Sequence, residues 1–231
     1  MKPILNKLFL VAALLAGSVV AAQDIPFSLQ PVDLPAEMPR ALASVLNPQG
    51  VRLMTIDNGV QKIACEVWFS KTVAVKAGSG GANAPYTNLQ VGALVGVLRF
   101  IEEGEDSRDQ KLKPGFYTLR YGRVGVDLGT GQPTDGVVVS PASVDLHVGQ
   151  SLPLDELTRI SRLGSRTKNP AVMTLLPFNA AYKSFPSIVA DDQGNCILQV
   201  QLQVQAAGSQ KTESMPIALL LITPEREDGD S

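Results

Sequence analysis

Histidine occurs once in this 231-residue chain, at His147, and tryptophan once, at Trp68. A single imidazole excludes metal centres built on several histidines and any site that needs two imidazoles. Aromatic residues make up only 5% of the chain, which leaves little material for a sugar-stacking platform. Charged residues are also sparse at 18%, and no long basic run occurs among them. A mildly acidic chain of this kind is a poor partner for nucleic acid or for an anionic lipid surface. Long apolar runs are nearly absent too. After residue 22 the longest is Ile217–Ile222, which is strand-sized and far short of the roughly 20 residues that span a bilayer as a helix.

The remaining apolar run stands at the start. Met1–Lys7 carries Lys2 and Lys7, Leu8–Ala16 is uninterruptedly apolar, and Gly17-Ser18 break it before Val19-Val20-Ala21-Ala22. A charged start, an apolar middle and a small-residue exit predict a secretory signal peptide over residues 1–22. Val20 and Ala22 fit the shallow −3 and −1 pockets of signal peptidase, so cleavage is expected between Ala22 and Gln23. The run from Leu8 to Ala22 is too short for a membrane anchor. The first cysteine is Cys65, so no lipid anchor is expected at the cut. Removing 22 of the 231 residues leaves 209, and losing Lys2 and Lys7 takes the net charge from −2 to −4. The expected product is soluble and exported, periplasmic or extracellular, with no membrane span after processing.

Cys65 and Cys196 are the only cysteines, so only one disulfide pairing exists. An exported compartment permits it. Two buried free thiols are the other reading, and spacing alone does not choose between them.

With 20 Gly and 16 Pro the mature chain reads as turn-rich and globular. Residues 23–50 hold Pro26, Pro31, Pro35, Pro39 and Pro48, a density that argues against sheet pairing. They read as a proline-rich arm with a short helix near Pro39–Leu46. From Val51 the pattern is β. Ile63, Cys65, Val67 and Phe69 share one face of a strand, and Lys62, Ala64, Glu66, Trp68 and Ser70 the other. Strands are expected at Gly92–Ile101, Gly115–Tyr121, Gly136–Val139, Ser143–Val148, Asn195–Gln205 and Met215–Thr223. In Asn195–Gln205 the alternation is strict, with Cys196, Leu198, Val200, Leu202 and Val204 on one side and glutamines on the other. Asp191-Asp192-Gln193-Gly194 reads as the hairpin turn before it. One helix interrupts the strands over about 153–163, with Asp155 and Glu156 in its first turn, Arg159 and Arg162 in its last, and Gly164 as its stop. The expectation is an antiparallel β-sandwich over 51–223 with one inserted helix, followed by a polar tail at 224–231.

Residues that carry chemistry are few. Asp145 and His147 fall on one face of the expected strand and form the one Asp–His pair available, although no G-x-S-x-G elbow accompanies them. Ser165-Arg166-Thr167-Lys168 matches S-x-x-K but follows a helix instead of opening one, so it is set aside. Arg159, Arg162, Arg166 and Lys168 cluster cations in ten residues and read as dipole-matched, solvated charges. The acidic loops Glu102–Asp109 and Asp191–Asn195 lack calcium-loop spacing and read as solvated turns. Gly78, Gly80 and Gly81 have no following G-K-[ST], so they make no phosphate cradle. Trp68, with Tyr117 on a neighbouring strand, is the candidate for ligand binding, against simple packing under the helix or arm. No catalytic residue, metal or cofactor is assigned.

Lys113-Pro114-Gly115-Phe116-Tyr117-Thr118-Leu119-Arg120-Tyr121 contains P-G-x-Y-x-L. This resembles the turn-then-strand signature of extracellular β-sandwich modules, carboxypeptidase regulatory-like domains among them. Together with Glu66-Val67-Trp68-Phe69 and Pro216-Ile217-Ala218-Leu219, it is similar to an uncharacterised family of exported bacterial β-sandwich proteins. The resemblance implies a bacterial source, export and a sandwich, and adds no catalytic residue. The expected function is a non-enzymatic binding or structural protein of the cell envelope, with an envelope or extracellular partner. The alternatives are a hydrolase acting near Asp145 and His147, and a carbohydrate or peptide binding module using Trp68.

Overall fold

The alternating pattern after Val51 is realised as strand along most of the chain. The computed structural model describes residues 26–57, 59–76, 86–126, 133–145, 147–165, 167–178 and 184–223. The signal segment with its Ala22/Gln23 cut, the glycine loop at 77–85, Arg166 and the tail at 224–231 lie outside them. The fold is mainly β, with 54% strand and 11% helix. The first half runs β1 (Phe27–Asp33), α1 (Arg40–Val45), β2 (Gln49–Asp57), β3 (Val60–Phe69), β4 (Val73–Val75), β5 (Leu94–Phe100), β6 (Gly104–Glu105) and β7 (Lys111–Leu112). The second half runs β8 (Gly115–Val126), β9 (Pro133–Pro141), α2 (Leu154–Ser165), β10 (Ala171–Leu176), β11 (Ser187–Ala190), β12 (Cys196–Ala206) and β13 (Thr212–Ile222).

Eleven strands form one large curled sheet in the order β1-β2-β3-β5-β8-β9-β10-β13-β12-β11, with β4 on the edge of β12; β6 and β7 pair separately. All the ladders along that path are antiparallel, whereas β4 runs parallel to β12. Strand β10 turns the corner: Ala171–Thr174 pair with β9 and Leu175–Leu176 with β13. The curl brings Cα atoms of β1 and β11 at the two ends of the sheet within 8 Å. Its inner face is the main core, filled by Leu53, Val67, Leu98, Leu119, Val139, Met173, Leu198 and Ile217. Burying one face of each strand is what the period of two dictates.

Two helical segments cover the outer face. α1 and its flanks bring Met38, Leu42 and Leu46 onto Trp68, Leu94 and Val97. α2 lays Leu157 and Ile160 on Val138 of β9. Among the described residues no helix is long and apolar enough to cross a membrane.

Three expectations are corrected. Phe27–Asp33 does not lie outside the sheet as an arm but pairs with Gln49–Thr55 as an edge strand. Leu34 N–H donates to Pro48 O and Ile56 N–H to Pro26 O, so even-numbered residues of β1 bond to β2. Pro31 is odd-numbered; its missing N–H faces the open edge, where proline costs no ladder bond. The described residues of Ser143–Val148 form no strand: a turn after Pro141 carries Val144 N–H and Asp145 N–H back to the Pro141 carbonyl. Gly164 does not stop α2, which continues to Ser165; a Cβ there would lie 2.7 Å from Pro141 Cγ, so the glycine allows the helix to approach β9.

Candidate functional site

Arg120 and Asp145 organise the outer face beside α2. Arg120 lies on β8, where Thr118 and Arg120 point outward while Leu119 and Tyr121 enter the core. Its side chain is 1% exposed. Nε donates to Asp145 Oδ2 at 2.6 Å and Nη2 to Oδ1 at 3.0 Å. Nη1 donates to the carbonyls of Gly92 at 2.8 Å and Gln150 at 2.7 Å, and Nη2 to that of His147 at 2.9 Å. Every N–H of the guanidinium therefore has an acceptor. Asp145 also accepts from Thr118 Oγ1 at 2.6 Å and from His147 N–H at 3.4 Å. Burial pushes the carboxyl up, but the hydrogen bonds from Arg120 and Thr118 and the Arg120 charge outweigh it, and the pKa falls below the usual aspartate value.

This arrangement bears on the Asp–His pair. The Asp145 carboxylate meets the backbone N–H of His147, and no hydrogen bond joins it to the imidazole, while His147 is exposed. Asp145 is thus committed to Arg120 and ties the 145–150 loop to β8.

Trp68 and Tyr117 do not come together. Trp68 is 0% exposed and lies under α1 on the outer face; Tyr117 is 4% exposed on the inner face and stacks edge-on with Phe100. Strand β5 separates their strands. An aromatic platform at the surface is therefore not formed by this pair. Gly50 sits opposite Trp68, and a Cβ there would lie 2.5 Å from Trp68 Cδ1, so the glycine makes room for the indole.

The other polar clusters serve the fold. Glu66 is buried between the residues opposite it on both flanking strands, Arg52 at 2.6 Å and Arg99 at 3.4 Å. Ser165 donates to Asn169 O, and Arg159 pairs with Glu156. Asp106 accepts from Gln110 and from Val172 N–H, which pins the β6–β7 loop to β10. Asp191 accepts from Gln193 and Asn195 and builds the expected hairpin turn. Cys65 and Cys196 face the same core from β3 and β12 as free thiols. Burial pushes Cys196 up to about 12, and burial together with the nearby Cys196 pushes Cys65 higher still.

The open side of the curled sheet holds a cleft of about 600 Å³. Leu29, Gln30 and Pro31 of β1 line one wall; Val200, Gln201 and Gln203 of β12 line the other. Asn47, Gln49, Gly50, Val51 and Phe69 form the floor side, with Phe185 and Pro186 at the rim. None of these residues carries a charge. The sequence points only obliquely to this place: the glutamines of β12 read there as a plain solvated face.

Family models, curated proteins and solved structures were compared with the chain and none matches.

Proposed function

We propose that the mature chain is an exported, non-enzymatic binding protein of the cell envelope whose partner occupies the cleft between β1 and β12. The observation that carries this reading is the cleft itself: an open, uncharged groove between two sheet edges, lined by carboxamides and by Phe69 and Phe185. Such a groove suits recognition through shape, apolar contact and hydrogen bonds. The two limbs that meet at β10 are read as the layers of a sandwich, and the cleft as its unclosed side. Export rests on the Met1–Ala22 pattern, with the mature chain starting at Gln23. The hydrolase reading loses its base, because Asp145 is bound to Arg120 and Thr118 instead of orienting the His147 ring. The Trp68 reading loses its surface, because α1 and its flanks cover the indole.

The test is photo-crosslinking in intact cells that express the full chain, with the photoreactive residue placed at Gln203 or, as a control, at Lys168 on the loop after α2. A discrete adduct from the Gln203 position alone is expected, together with an exported product whose N-terminus is Gln23. No adduct from Gln203, combined with turnover of generic ester or peptide substrates by the purified protein, would overturn the binding reading.

A further inference from the structure

The ladder arithmetic around β12 shows what kind of partner the cleft fits. On one side β12 is paired with β13 from Cys196 to Gln205. On the other side β11 covers only Cys196–Gln199 and β4 only Val204–Ala206. Val200–Gln203 lie between the two with no ladder partner on that side among the described residues. The β11 ladder stops at Ser187, the residue after Pro186.

Two independent markers give the direction of the backbone groups in this gap. Ala218 N–H turns away from β12 and donates to Tyr86 Oη, so the Gln199/Ala218 pair is a non-hydrogen-bonded one. Two residues further on, Gln201/Pro216 is another, as the proline requires, and Gln203/Ser214 follows. From the other side, Asp191 N–H donates to Asn195 O, so odd-numbered residues of β12 face β11. Both markers aim the N–H and C=O of Gln201 and the N–H of Gln203 at the open edge, while the Gln203 C=O is taken up by Val73 of the β4 ladder. Across the cleft, the even-numbered pairing of β1 with β2 leaves the N–H and C=O of Leu29 and the C=O of Pro31 at a second open edge. These four residues line the cavity.

Resting on the cleft-binding reading, we infer that the ligand is an extended, uncharged polypeptide segment that adds a strand to β12 at Gln201 and Gln203. Donor and acceptor groups repeat along this edge every second residue, and another extended strand repeats them at the same spacing. A glycan carries hydroxyls without that repeat. Phe69, Phe185, Val200 and Leu29 offer apolar contact to alternate side chains of the segment. A charged segment would leave its charges unpaired, since no lining residue can neutralise them. This disfavours the chain's own tail, where Glu225, Arg226, Glu227, Asp228 and Asp230 crowd together.

The test uses the full mature chain, labelled for amide hydrogen exchange, and a twelve-residue peptide selected from a displayed library of uncharged sequences. Without peptide, the amides of Gln201 and Gln203 exchange at least tenfold faster than those of Val200 and Leu202, which bond to β13. Saturating peptide slows both at least tenfold. N-methylation of the peptide at alternate residues weakens binding at least tenfold in one frame and leaves the other frame within threefold. Slow exchange at Gln201 and Gln203 in the free protein would overturn the inference, because the edge would already be covered. So would peptide binding that changes neither amide and survives both methylation frames; that result leaves the cleft-binding reading standing. Protection that rises with protein concentration alone would name a second copy as the occupant and also overturn it. Failure to select any peptide, together with a Gln203 crosslink in cells, would reject strand addition alone; failure of both would reject the two readings together.

Discussion

The Arg120–Asp145 corner and the β1–β12 cleft are opposites. The corner holds the residue types from which active sites are made, an aspartate, an arginine, a threonine and a neighbouring histidine, yet its buried polar groups are satisfied within the fold. The cleft holds no ionisable side chain, yet the N–H and C=O of Gln201 and the N–H of Gln203 face outward with no ladder partner among the described residues. The difference teaches that chemical potency and availability are separate properties. A buried charge must be neutralised and hydrogen-bonded to be tolerated at all, and those partners remove it from other work. An unpaired sheet edge is merely hydrated until another strand reaches it, and it stays available.

The largest way to break this comparison is at the corner. Asp145→Ala strands the Arg120 guanidinium without its counter-charge, and a loss of about 3–5 kcal/mol in unfolding free energy is expected by urea denaturation. A loss below about 1 kcal/mol would show that water reaches the corner and that Arg120 is not sealed there. The same pair sets an acid dependence. The Asp145 carboxyl has a folded pKa below its unfolded value, so its stabilisation is fully present above an unfolded pKa of about 3.9. It is lost as pH falls below that value and through the folded one. Asp145→Asn should flatten this part of the stability–pH curve between pH 5 and pH 2, measured as thermal midpoint against pH.

Gly50 lines the cleft and lies against Trp68, which α1 covers. Gly50→Ala forces a methyl into the space of the indole ring and the Val67 carbonyl, and about 1–3 kcal/mol of destabilisation is expected from the same urea measurement. A neutral result would mean that Trp68 shifts freely under α1.

Smaller effects belong to the open side. Gln201→Ala should change stability by no more than about 0.5 kcal/mol, because its exposed side chain makes no internal bond on which the fold depends. His147→Ala should be equally mild, since the corner uses only the main chain of His147. A large loss in either variant would erase the contrast between the corner and the cleft. The smallest expected signal is at the thiols. Burial keeps Cys65 and Cys196 protonated, so neither should be alkylated in the native protein at pH 8. Both should label after denaturation without reductant, read by intact mass. Absence of label under those conditions would establish a Cys65–Cys196 bridge.

Much of the architecture was legible in the residues. β5, β8, β9, β12, β13 and α2 all stand where the periodicity placed them, with ends shifted by a few residues. The Cys196–Val204 face enters the core as its alternation required. β1 was illegible because proline counts argue against a strand, while the tolerance of an edge for proline depends on which side of the strand is open. The run at Ser143–Val148 misled for the opposite reason. Val144 and Val148 give it a strand-like pattern, but a turn bound to Pro141 prevails and Asp145 turns inward to Arg120. The cleft gave no local signal at all: its glutamines look like any solvated face.

Local sequence was enough to set the strand character of most of the chain, the sides of β3 and β12 that enter the core, the helix over α2 and the Asp191–Asn195 turn. These follow from neighbours within a few residues, where side-chain alternation, capping and turn chemistry act. It took the tertiary structure to decide that Arg120 would hold Asp145 across 25 residues, that Trp68 would be covered by α1, and that Val200–Gln203 of β12 would have no ladder partner between β11 and β4 among the described residues. Those outcomes depend on which strands become neighbours, and strand order is a property of the whole sheet that no local pattern encodes.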